Sequence, residues 1–304
     1  MTLTEMRYIV ALARERHFGK AAEACHVSQP TLSVALKKVE GQLGAALFER
    51  TASDVRITAL GERIVAQARR VLEEAVRLEE IAGSGGDPMT GPLRVGVIYT
   101  IAPYLLPQLI PALHRHAAAM PLFLKEDFTG NLIPALKAGE LDVIVIALPF
   151  AEPGLVAPPV YEEPFRVVVP AAHPWVGRPD VSAEELDGQN LLLLGQGNCF
   201  RDQVLESCPR LTAPDALGHS LEGSSLETIR YMVASGAGVA VMPSTAADPL
   251  IDKEPMVKVL PFAGAQPARI VGLVWRVTFP RPQAIDAVRA AILSCQLPGA
   301  TAVR

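Results

Sequence analysis

At 304 residues the chain is long enough for two or three folded units, each burying a core of its own. Half of the residues are apolar, 20% are charged and the formal net charge is −4, which excludes a disordered or fibrous chain and points to no partner by charge alone. The four cysteines, Cys25, Cys199, Cys208 and Cys295, are too sparse for a secreted disulfide framework and do not form the C-x-x-C pairs of a zinc site, so neither a metal nor a cofactor is expected. The N-terminus shows no basic start followed by an apolar stretch, and no apolar run approaches the ~20 residues that cross a bilayer. A cytoplasmic protein without membrane contact is expected.

The fold class expected is α/β with an N-terminal winged helix-turn-helix, a linker helix and a two-lobed effector domain. In "LTEMRYIVALARERHF", Leu3, Met6, Ile9, Val10 and Leu12 recur at three- and four-residue steps, a helix opened by Thr2 or Thr4. "GKAAEACHV" reads as a short second helix. "SQPTLSVALKKVEGQLG" begins with Ser28 as N-cap and Pro30 in the first turn, and places Leu32, Leu36, Val39 and Leu43 on one buried face. Helix, short turn, helix is the outline of a helix-turn-helix. Two short extended pieces around Ala52, Ser53 and Asp54 then read as a hairpin wing, completing a unit over 1–58.

From Thr58 to about Ile81 the stripe Ile64, Ala68, Val71, Ala75 and Leu78 continues without a breaker after Gly61, and "GSGGDPMTGP" ends it. The segment 59–88 is read as a linker helix; its charged flanks, Arg69, Arg70, Glu73, Glu74 and Arg77, suit a helix–helix contact between subunits. Beyond residue 91 strands and helices alternate, the pattern of a parallel sheet with crossover helices. The regulatory domain, 89–304, is read as two α/β lobes, about 91–161 with 267–304, and 162–266, enclosing a cleft.

In a helix-turn-helix the second helix enters the major groove. Here it offers Ser28, Gln29, Pro30, Thr31, Ser33 and Lys37, and the wing adds Arg50 and Arg56 for phosphate or minor-groove contact. Gln29 can pair bidentately with adenine, while Ser28 and Thr31 can donate to phosphates and bases. The competing reading is a small helical bundle with solvated polar positions.

"FGKAAEACHVSQPTLSVALKKVEGQLGAALFER" followed by "ITALGERI" resembles the N-terminal region of LysR-type transcriptional regulators, across the whole of the first sixty-odd residues. The resemblance implies a winged helix-turn-helix joined by a linker helix to a periplasmic-binding-protein-like domain. It also implies a homotetramer, a dimer of dimers, on partly palindromic promoter double-stranded DNA, with RNA polymerase as a further partner.

Within that family "GVIYTIAPYLLPQLIPAL", "GNCFRDQVLESC" and "EGSSLETIRYMVASGAGVAVMP" resemble the peroxide-sensing OxyR branch, "CFRDQ" with a cysteine nine positions on being the diagnostic part. The resemblance implies hydrogen peroxide as the signal, Cys199 as the reacting thiol, Cys208 as the resolving one, and Thr100 and Thr129 as peroxide-orienting hydroxyls. The chemistry of the residues runs the same way. A cysteine attacks peroxide as its thiolate, which a helix N-terminus or a cation such as Arg201 favours, and the sulfenic acid formed condenses with a second thiol. Nine helical residues span about 13 Å, whereas a disulfide needs Cα atoms roughly 4.4 to 6.8 Å apart. Joining the two cysteines would therefore open the helix.

Ser225 is expected to cap a helix while facing the cleft, and His219 to act as a more distant donor; capping alone explains Thr129 equally well. Many members of the branch carry histidine before the reactive cysteine. Here Asn198 stands there, and its amide can still donate. Cys25 and Cys295 read as packing residues. Two other functions compete: a regulator of the same build that binds a small organic acid, its cysteines incidental, and a thiol peroxidase or hydrolase. The second lacks a Ser/His/Asp or Cys/His constellation and leaves the DNA-binding end unexplained, so no enzyme is expected.

Overall fold

The computed structural model describes residues 1–50, 55–83, 87–207, 221–251 and 253–303. The expected turn at 52–54, Cys208 and His219 lie outside the described residues. The chain divides into two compact units, one of Met1–Gly86 with Ala138–Glu140 and one of Asp87–Lys137 with Leu141–Arg304.

The first unit packs α1 (Leu3–Glu15), α2 (Phe18–Ala24) and α3 (Gln29–Leu43) around Ile9, Leu12, Ala21, Leu32, Leu36 and Val39. Thr2 and Glu5 close a capping box at the start of α1, and the Ser28 hydroxyl accepts the Thr31 N–H at the start of α3. Gly44, at φ 67°, ends α3 in the left-handed region. Two expected core positions turn outward: Leu3 is 41% and Leu43 39% exposed. The buried face of α1 is rotated toward Glu5, Tyr8, Ile9, Ala11 and Leu12. Glu5 tolerates burial because its carboxylate accepts from the Thr2 N–H and from Lys38 Nζ at 2.9 Å, contacts that hold its carboxyl below the usual range, the Lys38 bond foremost.

β1 (Phe48–Arg50) and β2 (Val55–Ile57) pair antiparallel, Phe48 opposite Ile57 and Arg50 opposite Val55. α4 (Ala59–Gly83) follows, burying Val65 and Ala68 while Leu78 stands 70% exposed rather than continuing the buried stripe. The start of α4 is built by the sequence "TALG". Thr58 Oγ1 accepts the Gly61 N–H and the Thr58 N–H donates to Leu47 O, which draws the helix onto β1. A Cβ at Gly61 would lie 2.2 Å from the Leu47 carbonyl oxygen, so no larger residue fits.

The second unit is one mixed sheet in the order β4 (Leu122–Asp127), β3 (Leu93–Ile98), β5 (Val143–Leu148), β12 (Ala268–Arg276), β7 (Pro159–Pro170), β10 (Val239–Pro243), β8 (Leu191–Leu194), β9 (Leu221–Gly223). β6 (Leu155–Val156) adds to β12, while β11 (Val257–Pro261) and β13 (Thr301–Ala302) add to β7. β3, β4 and β5 are parallel and form the first lobe with α5 (Ala102–His116), α6 (Thr129–Lys137) and α10 (Pro282–Ser294). β8, β9 and β10 are parallel and form the second with α7 (Cys199–Ser207), α8 (Leu226–Ala234) and α9 (Ser244–Ala247). Each lobe has its own apolar cluster. β7 serves both, pairing with β12 over 159–164 and with β10 over 165–168. β7 thus runs from lobe to lobe, β12 returns the chain beside it to the first lobe, and the cleft opens beyond the carboxyl ends of β3, β4 and β8, where α/β sheets place their sites.

Gly61→Ala is expected to destabilise the first unit by about 1–3 kcal/mol, the usual cost of overpacking. Calorimetry of the full-length chain would show it as a lowered transition of that unit with the second unit's unchanged; no shift would mean that the Leu47 carbonyl yields freely.

Candidate functional site

Three turns build the cleft. β3 ends at Ile98, so Thr100 lies in the turn to α5, 4% exposed. β4 leads through Asp127 and Phe128 into Thr129, the first residue of α6. β8 leads through Gly197, whose φ of 90° is glycine territory, into Asn198 and then Cys199, the first residue of α7. Ile98, Tyr99, Thr100, Asp127, Phe128, Thr129, Gly197, Asn198 and Cys199 line one cavity of ≈ 10 Å³, about the room of a single water-sized molecule. Tyr99 and Phe128 close its apolar side edge to face, ring centroids 5.1 Å apart.

Cys199 is a half-buried free thiol whose side chain, carried by the second lobe, packs against the apolar cluster of the first. Thr129 Oγ1 lies 3.9 Å from its sulfur. The sulfur sits at the N-terminal end of α7. Phe200 fixes that position: it is buried, stacks edge to face on Phe165 of β7 at 5.1 Å and lies under the Arg269 guanidinium. The Asn198 amide donates to Gly195 O at 3.0 Å, holding the turn before the thiol. On the opposite wall the Asn131 amide, the Phe128 N–H and Lys125 hold the Asp127 carboxyl below its ordinary range.

Of the residues read as peroxide-pocket groups, Thr100, Thr129 and Asn198 come together with Cys199, and two do not. Arg201 is not a cation beside the thiol. Two positions on in a helix a side chain leaves on nearly the opposite face, and its guanidinium is taken by Leu194 O at 2.8 Å and Glu222 at 2.7 Å. Ser225 caps α8 just past β9, accepting the Thr228 N–H at 3.1 Å, and is not among the residues lining the cavity with Cys199.

The sequence reading missed a buried set beside the cleft. Arg269 on β12, 2% exposed, donates from Nη1 to Thr100 Oγ1 at 2.8 Å, from Nη2 to Thr100 O at 3.0 Å and from Nε to Glu163 on β7 at 2.5 Å. Glu163 also accepts from Thr245 Oγ1 at 2.6 Å. A second contact links the lobes: Tyr104 of α5 packs on the second lobe's cluster and donates to Glu227 of α8 at 3.1 Å, burial foremost and that carboxylate next driving its phenol upward. The signal for Arg269 and Glu163 was charges standing in largely apolar strands, "ARIVGLVWR" and "VYEEPFRVVV". Cys25 and Cys295, by contrast, are thiols pushed up by burial.

On the first unit Gln29, Pro30, Thr31 and Lys37 are exposed along α3 and Ser33 is half-buried. Ser28 is exposed with its hydroxyl engaged as the cap and 2.8 Å from that of Thr31. Arg56 is exposed on β2. Val34, 67% exposed on α3, was not read as a contact, although an exposed apolar side chain on such a helix can meet a thymine methyl.

Residues 3–62 match the bacterial regulatory helix-turn-helix protein, lysR family, and residues 86–294 match the LysR substrate binding domain. The chain belongs to the LysR family, with an N-terminal helix-turn-helix and a two-lobed α/β substrate-binding domain. Within that family it is similar to the DNA-binding transcriptional dual regulator OxyR of Escherichia coli K12, 39% identical over 294 residues that cover 95% of each chain. Its structure is similar to full-length OxyR C199D from Pseudomonas aeruginosa, with a TM-score of 0.79, 51% identity and coverage of 100% of this chain and 99% of that one. It is also similar to an H2O2-bound cysteine-to-serine mutant of Corynebacterium glutamicum OxyR, with a TM-score of 0.64, 32% identity and coverage of 96% of this chain and 91% of that one.

Phe200→Ala is expected to cost about 3–5 kcal/mol of packing and to release the start of α7. Faster amide exchange across 199–207 and faster alkylation of Cys199 would register it; an unchanged alkylation rate would show that other contacts hold the thiol.

Proposed function

We propose that this chain is a hydrogen peroxide-responsive transcriptional regulator in which oxidation of Cys199, followed by bridging to Cys208, changes its contacts with promoter DNA. The observation that carries the reading is the pairing of a helix-N-terminal thiol with a hydroxyl 3.9 Å away in a cavity of ≈ 10 Å³. Sites for organic ligands enclose about 300–1,000 Å³, far more than this cavity, which favours a signal molecule of very few atoms over a small organic acid.

The chemistry follows from the lining. The Cys199 thiolate attacks one peroxide oxygen, the O–O bond breaks, sulfur is oxidised to the sulfenic acid, and the other oxygen leaves as hydroxide and takes a proton to become water. Thr100, Thr129 and Asn198 supply hydroxyl and amide groups to orient the peroxide and to meet the charge on the leaving oxygen. The Cys208 thiolate then attacks the sulfenic sulfur, forming the disulfide and releasing hydroxide, which is protonated to water. α7 runs unbroken from Cys199 to Ser207, a span of about 12 Å against the roughly 4.4 to 6.8 Å that a bridge allows. Forming the bridge therefore unwinds α7.

The remaining roles rest on surfaces. α3 with Gln29, Pro30, Thr31, Ser33 and Lys37 reads the major groove, Ser28 sets its start, and the wing with Arg50 and Arg56 meets the backbone. α4 is the linker helix, its exposed Leu60 and Leu78 suited to a second copy. The sheet edge at β4, with Phe123 61% and Leu124 39% exposed, suits a second contact, and two kinds of contact give a dimer of dimers. An activator at a promoter acts on RNA polymerase, and a thiol that must start reduced fits a cytoplasmic protein. The lobes keep a periplasmic-binding-protein-like plan.

Two variants test the reading. Mass mapping after a stoichiometric peroxide pulse should recover linked peptides carrying Cys199 and Cys208, and Cys199→Ser should lose the peroxide response while keeping DNA binding; a full response in that variant would sink the proposal. Thr129→Val should slow oxidation of Cys199 about tenfold, the value of one hydrogen bond to a charged group; wild-type rates would reduce Thr129 to a helix start.

A further inference from the structure

The Thr100 hydroxyl is held from one side only. Its oxygen accepts from Arg269 Nη1 at 2.8 Å, and its proton is donated to no group among the described residues, although it stands in the cleft wall. Arginine has donors and no acceptor, so Arg269 can never take that proton. With one lone pair fixed by an N–H, the hydroxyl is left as a donor. The backbone of the same residue is clamped as well, Arg269 Nη2 donating to Thr100 O at 3.0 Å, so the turn cannot rotate the hydroxyl away.

Arg269 has no freedom of its own. Its Nε donates to Glu163 Oε1 at 2.5 Å, and the other oxygen of that carboxylate accepts from Thr245 Oγ1 at 2.6 Å. Thr100, Glu163, Thr245 and Arg269 are all buried, at 4%, 0%, 4% and 2% exposure. They come from four elements: the β3–α5 turn, β7, α9 and β12. The far end of the chain of bonds is fixed too. Ser244, next to Thr245, donates to Pro298 O at 3.0 Å, and a Cβ at Gly299 would fall 2.6 Å from Ser244.

We propose that Glu163 and Thr245 are positioning residues for the reaction at Cys199, acting through Arg269 to present the Thr100 hydroxyl as a donor to peroxide. The proposal rests on the reading of the cleft as a peroxide site. When the thiolate attacks one oxygen and the O–O bond breaks, the electron pair stays on the departing oxygen, which leaves as hydroxide and is protonated to water. A hydroxyl already oriented toward that oxygen stabilises the charge without reorganising. A chain that only supported the fold would leave this orientation to chance. Alkylation of the same thiol needs no such donor, because iodide leaves as a stable, weakly basic anion whereas hydroxide has to be stabilised and protonated.

The test measures two rates on the full-length reduced protein, oxidation of Cys199 by hydrogen peroxide and alkylation of Cys199 by iodoacetamide. Thr245→Val, which removes a hydroxyl and no charge, should lower the peroxide rate about tenfold, as loss of one oriented donor does, and move the alkylation rate by less than about twofold. Glu163→Gln should lower the peroxide rate further; Thr245→Val alone carries the test if that variant does not fold. In a Thr100→Val background, Thr245→Val should have no further effect on the peroxide rate. An unchanged peroxide rate, a parallel fall in both rates, or the same tenfold fall in the Thr100→Val background would overturn the assignment. A wild-type Cys199 that peroxide does not oxidise would instead bring down the reading of the cleft itself.

Discussion

Where β7 and β12 pass between the lobes, Glu163 and Arg269 form an ion pair at 2.5 Å with both side chains fully out of solvent. Taking two such ions out of water costs several kcal/mol each, and their attraction offsets that only when the remaining donors and acceptors are satisfied. Here they are: Thr245 fills the second carboxylate oxygen, and Thr100 takes two of the guanidinium's N–H groups. Sliding one strand past the other would strand a charge in the core. The crossing is therefore a fixed point, and the turn carrying Thr100 inherits its rigidity.

If the strands cannot give, the switch has to lie in the piece that is least tied down. α7 buries only Phe200 and Val204. Arg201 adds two polar tethers to β8 and β9, while the side-chain oxygen of Gln203 is buried with no hydrogen-bond partner among the described residues. A nine-residue helix is too short to hold itself together in water, so its persistence depends on those anchors. Cys199 is one of them, since its side chain packs on the opposite lobe. Drawing that sulfur into a new covalent bond removes a contact between the lobes and weakens the helix in the same event.

The sequence carried the order of elements because periodicity survives in a single chain: each lobe's strands alternate with helices, and the caps at Thr2 and Ser28 are local chemistry. The peroxide-orienting role of Thr100 and Thr129 was legible only through the resemblance to a family, since they reach Cys199 from separate turns, whereas Asn198 adjoins the thiol along the chain. Arg201 was misplaced because adjacency in sequence was taken for adjacency in space, where helix geometry sends the second residue on to the other side. Arg269 and Glu163 stood out only as charges in strands, because their meaning is a pairing across 106 positions. Leu3 and Leu43 were assigned to the core by pattern, yet a stripe wide enough for a larger protein overfills a bundle this small.

The size of the signal decides what kind of switch the cleft can house. Moving a two-state protein from almost wholly one form to almost wholly the other takes a differential of about 5.5 kcal/mol. The best small ligands gain at most about 1.5 kcal/mol per heavy atom, so two oxygen atoms bound without reaction fall short even if every contact favoured one state. A cavity of ≈ 10 Å³ leaves no room to enlarge the ligand. Chemistry escapes the limit, because breaking an O–O bond and making an S–S bond supplies a free-energy difference that does not scale with contact area. A sensor for so small a molecule must therefore react with it. The architecture follows from that need: a rigid crossing to aim the donors, and beside it a short helix loose enough to be consumed by the product.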